Sequence, residues 1–195
     1  MPRSDPVTHE LTLRVPNGSV VARFRTAAPA DIPAIEHLIS LSARGLSQGD
    51  YSDKQIDAAL GSALGVDSQL ISDRTYYVAE AAGALIACGG WSWRKTLFGG
   101  DQGDRQPEPL DPASEAARIR AFFVHPDWAR QGLGRALLEL CESEARAAGF
   151  KQAELMATLP GERLYRDCGY WSRPAIEHVL RDGVTIRFVP MVKVL

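Results

Sequence analysis

Hydrophobic and polar positions follow two periodicities along this chain, and together they predict the strands and helices of one mixed domain. Alternating apolar positions and concentrated β-branched residues predict strands at 20–27, 75–81, 84–93, 118–124, 151–157, 176–181 and 184–189. Apolar residues three and four positions apart predict helices after Asp31, after Ser52, at 132–148 and at 161–168. The resulting order, β-α-α-β-β-β-α-β-α-β-β, is typical of a mixed α/β fold.

Local signals set the ends and the pairing of several of these elements. We expect Asp31 to cap the first helix, and Ser52 with Gln55 has the pattern of a capping box at the second. The dipeptide Asp182-Gly183 predicts a two-residue hairpin between the last two strands. Because a long helix connects the fourth and fifth strands, these two strands are expected to be parallel neighbours.

Two segments lack either periodicity and are predicted to be irregular, residues 1–19 and a polar stretch at about 95–115. The second is longer than most loops, and such loops tend to be functional lids or mobile insertions. We therefore expect an N-terminal extension at 1–19 and one domain at 20–195 that carries the polar insertion.

Composition narrows the class of protein. The chain has 195 residues, 45% of them hydrophobic, and a formal net charge of −2, which suits one well-filled domain and argues against a nucleic-acid partner. Three dispersed cysteines and four dispersed histidines predict neither a disulfide framework nor a metal site. Since there is no apolar leader and no run long enough to span a bilayer, we expect a cytoplasmic protein without a membrane partner.

The segment 122–138 ends a predicted strand and opens the longest predicted helix on glycines. The first turn of a helix leaves N–H groups without partners and favours negative charge, and Gly132 and Gly134 place no side chain in front of those groups. This arrangement suits a diphosphate, to which Arg130 or Arg135 could add charged hydrogen bonds. A glycine pair can also be an ordinary tight turn, and the segment lacks the Lys-Ser/Thr pair and the third glycine of better-known phosphate loops.

The sequence Val-His-Pro at 124–126, the turn at 130–135, the helix that follows and the segment 164–170 together resemble the GNAT superfamily of acetyl-CoA-dependent N-acetyltransferases. The resemblance covers about residues 20–195. One position departs from it, because the family pattern Arg/Gln-x-x-Gly-x-Gly/Ala begins on Ala129. The resemblance implies a central mixed sheet of about seven strands, with splayed fourth and fifth strands, flanked by about four helices.

The resemblance also implies how acetyl-CoA, the acetyl donor, binds and reacts without a metal. The pantetheine arm would pair with the fourth strand and the diphosphate with the turn after it, through Phe122, Phe123, Val124, Arg130, Gln131, Gly132, Leu133, Gly134 and Arg135. An N–H near Val124 would polarise the thioester carbonyl. A primary amine would attack that carbonyl directly in a ternary complex, and Tyr165 would protonate the departing coenzyme A thiolate.

Several assignments keep an alternative. Tyr165 could instead pack its ring on Leu164 and Phe150, and His125, which precedes a proline, is predicted to shape a turn. The candidate general bases, which no motif marks, are Glu80, Glu115 and Glu177. The acceptor would be a small-molecule or peptide amine, and the resemblance alone implies a homodimer. The alternative functions are a non-catalytic acyl-CoA-binding regulatory domain and a nucleotide-binding domain for NAD or ATP.

Overall fold

A computed structural model describes residues 9–16, 18–102 and 106–195. The strands of this part of the chain are β1 (His9–Val15), β2 (Gly18–Thr26), β3 (Tyr76–Ala81), β4 (Ala84–Ser92), β5 (Ala117–Val124), β6 (Gln152–Thr158), β7 (Trp171–Ser172), β8 (Ile176–Val179) and β9 (Thr185–Val194). Its α-helices are α1 (Ile32–Leu46), α2 (Asp53–Ala59), α3 (Ser68–Ser72), α4 (Leu133–Ala147) and α5 (Leu159–Asp167). The strands form one sheet in the order β1-β2-β3-β4-β5-β6-β9-β7, with β8 also paired to β9.

This sheet confirms the predicted mixed α/β class and has nine strands where the resemblance implies about seven. The pairing of β5 with β6 is parallel, as the long helix between them predicts, and the other pairs are antiparallel. One added strand, β1, lies in the segment 1–19 that the sequence predicts to be irregular. Leu13 is the one fully buried residue of β1, so its apolar alternation is weak, and backbone pairing with β2 defines the strand.

The helix starts follow their capping signals with one correction. The capping box of α2 is confirmed, because Gln55 N donates to Ser52 Oγ at 3.3 Å and Ser52 N donates to Gln55 Oε1 at 2.9 Å. Asp31 has the predicted N-cap position of α1, but its side chain makes no capping hydrogen bond to that helix. Its carboxylate instead accepts hydrogen bonds from the Arg25 guanidinium and from Ala28 N, both at 2.7 Å, because the adjacent strand supplies a charged partner that local pattern does not reveal.

Two short features differ in length from their predictions. The five-residue helix α3 has no predicted counterpart, and Asp67 caps it by accepting from Gln69 N at 3.1 Å. The hairpin at Asp182-Gly183 is present, but its connection is the three residues Arg181–Gly183, since Leu180 N donates to Val184 O at 2.6 Å across it. The hairpin signal therefore predicts the chain reversal correctly, but the predicted connection is one residue shorter than the observed one.

Helices cover both faces of the sheet. Successive residues of β3 alternate between two apolar clusters, Tyr76 in one and Tyr77 in the other. The Tyr77 cluster includes Leu137 and Cys141 of α4, and the Tyr76 cluster includes Ile35 of α1. Burying a large apolar side chain contributes roughly 1.5–3 kcal/mol, so the two clusters hold the central strands from both sides. No helix of the described residues is both long enough and apolar enough to cross a membrane.

The strands β5 and β6 are neighbours over their first residues only. Their register begins at Ala117 with Ala153 and ends at Ile119 with Leu155, although both strands continue further. On its other edge β5 carries a bulge against β4, with Ala121 at φ 55, and a bulge bends the strand that contains it. The two strands therefore diverge after Ile119, as the resemblance implies.

The polar stretch at 95–115 is attached to the domain through backbone hydrogen bonds. Lys95 N donates to Glu108 O at 3.0 Å, which joins the two arms of the insertion. Further along, Gly100 N donates to Ser62 O at 2.6 Å and Asp101 N to Val66 O at 2.9 Å. The described part of the insertion therefore lies against the connection between α2 and α3.

Candidate active site

A cavity of about 450 Å³ lies where β5 and β6 diverge, with walls from α1, β5, the N-terminus of α4 and α5. Eight of the nine predicted coenzyme-binding residues line it, namely Phe122, Phe123, Val124, Arg130, Gly132, Leu133, Gly134 and Arg135. The ninth, Gln131, directs its side chain to β1, where Oε1 accepts a hydrogen bond from Arg14 N at 2.8 Å. The fold thus brings the strand end and the helix start of the motif to one cavity.

The N-terminus of α4 presents backbone N–H groups to this cavity. The first bond of the helix runs from Ala136 N to Gly132 O at 2.9 Å, so the N–H groups just before Ala136 have no partner within the helix. Gly132 precedes the helix at φ 90, and Arg130 has φ 64. Left-handed residues in such a loop create concave groups of N–H donors that bind anions. With the helix dipole added, this end of the cavity is suited to a phosphate group.

The two glycines of this turn are needed for different reasons. A Cβ on Gly132 would meet only Leu11 Cδ2, at 3.9 Å, so the left-handed φ of Gly132 is what favours glycine there. A Cβ on Gly134 would lie 2.8 Å from Leu164 Cδ2. Gly134 therefore also allows α4 to approach α5 closely, a packing role that the sequence interpretation leaves out.

The charges around the cavity favour an anion. Three arginines line it, Arg130, Arg135 and Arg163, together with one acidic residue among the described ones, Asp167. Asp167 is loosely engaged, since its carboxylate lies 3.8 Å from Arg163 Nε and its backbone oxygen accepts from Arg135 Nη2 at 3.4 Å. The excess positive charge attracts multiply charged anions, and guanidinium groups bind phosphate oxygens in pairs.

A serine that sequence reasoning missed also borders the cavity. Val124 N, on the edge of β5 that does not pair with β4, donates a hydrogen bond to Ser42 Oγ at 3.2 Å. Ser42 belongs to α1 and its side chain is buried, with 5% of the residue exposed. The signal in the sequence is a hydroxyl within the row of apolar residues Leu38 and Ile39 on the buried face of α1. The sequence does not show which group this hydroxyl contacts, because its partner Val124 lies 82 positions further along the chain.

Tyr165 lies in α5 and lines the cavity, with 8% of the residue exposed. Its ring packs edge-on against Phe122, at 6.3 Å between ring centroids, and against Tyr170, at 5.9 Å. Burial raises the pKa of the Tyr165 phenol well above its ordinary value. The side chain therefore keeps its proton at neutral pH, as a proton donor requires.

A second, smaller cavity of about 60 Å³ meets the first at Tyr165, Phe122 and Thr158, which line both. Its outer wall includes the insertion residues Leu97, Phe98 and Gly99. Arg120 also lines it, and this guanidinium forms a buried ion pair with Asp67 at 2.7 Å and donates to Gly99 O at 2.9 Å. Tyr165 therefore borders both cavities, one lined by the α4 turn and one lined by the insertion.

The candidate bases lie outside both cavities. Glu80 forms an ion pair with Arg25, and Glu115 accepts a hydrogen bond from Asp111 N at 2.7 Å. Glu177 lies on β8 opposite Arg187.

His125 has the turn role predicted for it, because its Nδ1 accepts a hydrogen bond from Asp127 N at 3.2 Å in the 3₁₀ turn Pro126–Trp128. Within the described ranges, no three His, Cys, Asp or Glu side chains come together as a metal site.

Sequence comparison identifies the family. The family model for the acetyltransferase (GNAT) family matches residues 39–170, which is more than half of the chain. The chain therefore belongs to the GNAT acetyltransferase family, and it is an acyltransferase. This confirms the resemblance carried by the motif and the later tyrosine segment. No curated protein matches the chain significantly.

Solved structures of N-acetyltransferases share the fold. A GCN5-related N-acetyltransferase from Rhodopseudomonas palustris is 18% identical, with a TM-score of 0.66, and the match covers 100% of this chain and 99% of the other. The PaiA N-acetyltransferase from Thermoplasma acidophilum, solved with coenzyme A, is 12% identical with a TM-score of 0.59, covering 89% and 99%. A phosphinothricin acetyltransferase from Sinorhizobium meliloti, solved with acetyl-CoA, is 19% identical with a TM-score of 0.59, covering 89% and 88%.

Proposed function

We propose that this protein transfers an acetyl group from acetyl-CoA to a primary amine by direct attack in a ternary complex. One observation carries the proposal: a single cavity joins the N–H groups at the start of α4 to the gap between β5 and β6. A long anionic thioester needs both features, because its diphosphate seeks N–H donors and its amide-bearing arm seeks an unpaired strand edge. Relatives solved with coenzyme A and acetyl-CoA support this choice of donor.

The proposed reaction uses few protein groups. The amine nitrogen attacks the thioester carbon, and the carbonyl electrons move onto the oxygen, where positioned hydrogen-bond donors stabilise the negative charge. Collapse of the tetrahedral intermediate breaks the C–S bond, and the sulfur takes the proton of Tyr165. The amine proton passes to water, and the phenol regains a proton from solvent. The raised pKa of Tyr165 supports this role, because the phenol is protonated before each turnover.

The acceptor in this proposal is a small-molecule or peptide amine that enters from the second cavity. That cavity meets the first at Tyr165 and is bordered by the insertion, so an amine placed there would reach the thioester from the side opposite the α4 turn. The position of Tyr165 between the two cavities favours catalysis over the alternative of a regulatory domain that only binds acyl-CoA.

The test measures coenzyme A thiol release from acetyl-CoA with a panel of small amines and peptides that have free amino termini. We expect release that depends on the amine, together with tight coenzyme A binding by calorimetry. Initial rates at varied concentrations of both substrates should give intersecting lines, and mass spectrometry should find no acetylated protein after incubation with acetyl-CoA alone. Acetyl-CoA binding without release for any amine would favour the regulatory domain, and stabilisation by NAD or ATP alone would contradict both.

A further inference from the structure

The contact between Ser42 and Val124 bears on the step in which the thioester carbonyl is polarised. The family resemblance gives that role to an N–H near Val124. Here the Val124 N–H already donates to Ser42 Oγ at 3.2 Å. At Val124, the polar group available to a ligand is therefore the hydroxyl of Ser42, which is itself among the residues that line the cavity.

The hydroxyl of Ser42 has a proton to donate. A serine hydroxyl carries one donor and two acceptor lone pairs, and the bond from Val124 uses one lone pair. In helices such a proton commonly goes to the carbonyl four residues earlier, as Ser62 does with Ala58 at 3.3 Å. Among the described residues, the Ser42 hydroxyl donates to no such carbonyl or side chain, although 95% of the residue is buried. A buried donor beside a cavity is thus available to a ligand.

We propose that Ser42 Oγ–H donates a hydrogen bond to the thioester carbonyl oxygen of acetyl-CoA and stabilises the oxyanion, with Val124 N–H holding and polarising the hydroxyl from behind. The inference rests on the proposed acetyl transfer and adds a catalytic residue to it. Hydrogen bonds in a chain strengthen one another, so the sequence N–H···O–H···O⁻ makes Ser42 a better donor than an isolated hydroxyl. No proton leaves Ser42, and the C–S bond breaks as described above.

The test compares Ser42→Ala and Ser42→Thr with the wild type. Alanine removes the donor at a helical position where it is well tolerated, and threonine restores a hydroxyl. Ser40→Ala is the control, because Ser40 is a partly buried serine of the same helix that does not line either cavity. We expect Ser42→Ala to lower kcat with the best amine about 100-fold or more, the usual effect of losing one oxyanion donor. Coenzyme A affinity should change little, and Ser42→Thr should recover most of the rate.

A second readout does not require an acceptor. Isotope-edited infrared spectra of acetyl-CoA labelled with ¹³C at the thioester carbonyl should show a lower carbonyl stretching frequency on the wild type than on Ser42→Ala, because a hydrogen bond weakens the C=O bond. A Ser42→Ala enzyme as fast as the wild type, with an unchanged carbonyl band, would overturn the inference, since the freed Val124 N–H would then act directly. If the wild type lowers the carbonyl frequency but releases no thiol with any amine, the proposed acetyl transfer is contradicted, whereas the hydrogen bond from Ser42 to the thioester is supported.

Discussion

At the scale of single residues, Tyr165 shows how burial keeps a phenol protonated. Its ring is held between Phe122 and Tyr170, and the resulting desolvation disfavours the phenolate. The sequence offers packing on Leu164 and Phe150 as the alternative role. Contact with Phe122 ties the ring to β5, which borders the larger cavity, so packing also holds the proposed proton donor in place.

We predict that Tyr165→Phe lowers kcat for amine-dependent thiol release by about 100-fold or more, within the range for loss of a general acid. Its dissociation constant for acetyl-CoA should stay near the wild-type value, because the proton is needed only as the thiolate leaves. Steady-state kinetics and calorimetry measure the two quantities. Tyr170→Phe is the control, since Tyr170 is a buried neighbour that lines neither cavity. Equal losses of turnover and affinity in Tyr165→Phe would indicate a packing role instead.

Residues differ in how well the sequence reveals them. The turn from Arg130 to Gly134 is visible because its helix geometry and backbone conformation depend on neighbours along the chain. Ser42 is not visible, because its contact with Val124 depends on α1 packing against β5. The side chain of Asp31 does not cap α1 for the same reason, since Arg25 on the adjacent strand binds its carboxylate.

At the scale of elements, the start of α4 combines two constraints on the same turn. Its N–H groups face the cavity at Gly132, and its second residue, Gly134, packs against Leu164 of α5. A change at Gly134 therefore disturbs the position of α5 as well as the first turn of α4. Gly132 lies in more open space, which makes it the better position at which to test anion binding alone.

We predict that Gly132→Glu binds coenzyme A at least tenfold more weakly than Gly132→Ala, a difference of about 1.4 kcal/mol. Both variants impose a side chain on a left-handed φ of 90, so the strain is matched and the carboxylate is the difference. A negative charge beside the α4 N–H groups competes with the diphosphate. Calorimetry at low and high salt measures the gap, which should narrow as salt screens the charge. Equal affinities for the two variants would contradict a diphosphate at this turn.

The sequence predicts some elements better than others, for physical reasons. Long amphipathic segments such as α4 show their period clearly, and the capping box of α2 is a local signal. The strand β1 has one fully buried residue and β7 has two residues in all, so neither carries a hydrophobic pattern that could predict it. Both are defined by backbone pairing with a strand that the sequence does predict.

At the scale of the whole molecule, the aromatic core sets a limit on stability at high pH. Every tyrosine of the chain, Tyr51, Tyr76, Tyr77, Tyr165 and Tyr170, has a pKa raised mainly by burial, to about 12 for Tyr51 and further for the others. In the unfolded chain a phenol ionises near pH 10. The unfolded state therefore loses these protons at a lower pH than the folded state does. Their contribution to the free energy of unfolding is complete below about pH 10 and is lost as the pH rises above it.

We predict cooperative unfolding between about pH 10 and 12, because each buried tyrosine costs up to about 1.4 kcal/mol per pH unit in this range and domains are stable by only about 5–15 kcal/mol. Tyrosinate absorbance should stay low until circular dichroism reports unfolding. Over the same pH range, the absorbance should then rise while the native circular dichroism signal is lost. A Tyr76→Phe variant removes one such phenol from the core. Its free energy of unfolding should therefore fall less between neutral and high pH than that of the wild type. Gradual ionisation near pH 10 in a protein that keeps its native circular dichroism would contradict the burial of these hydroxyls.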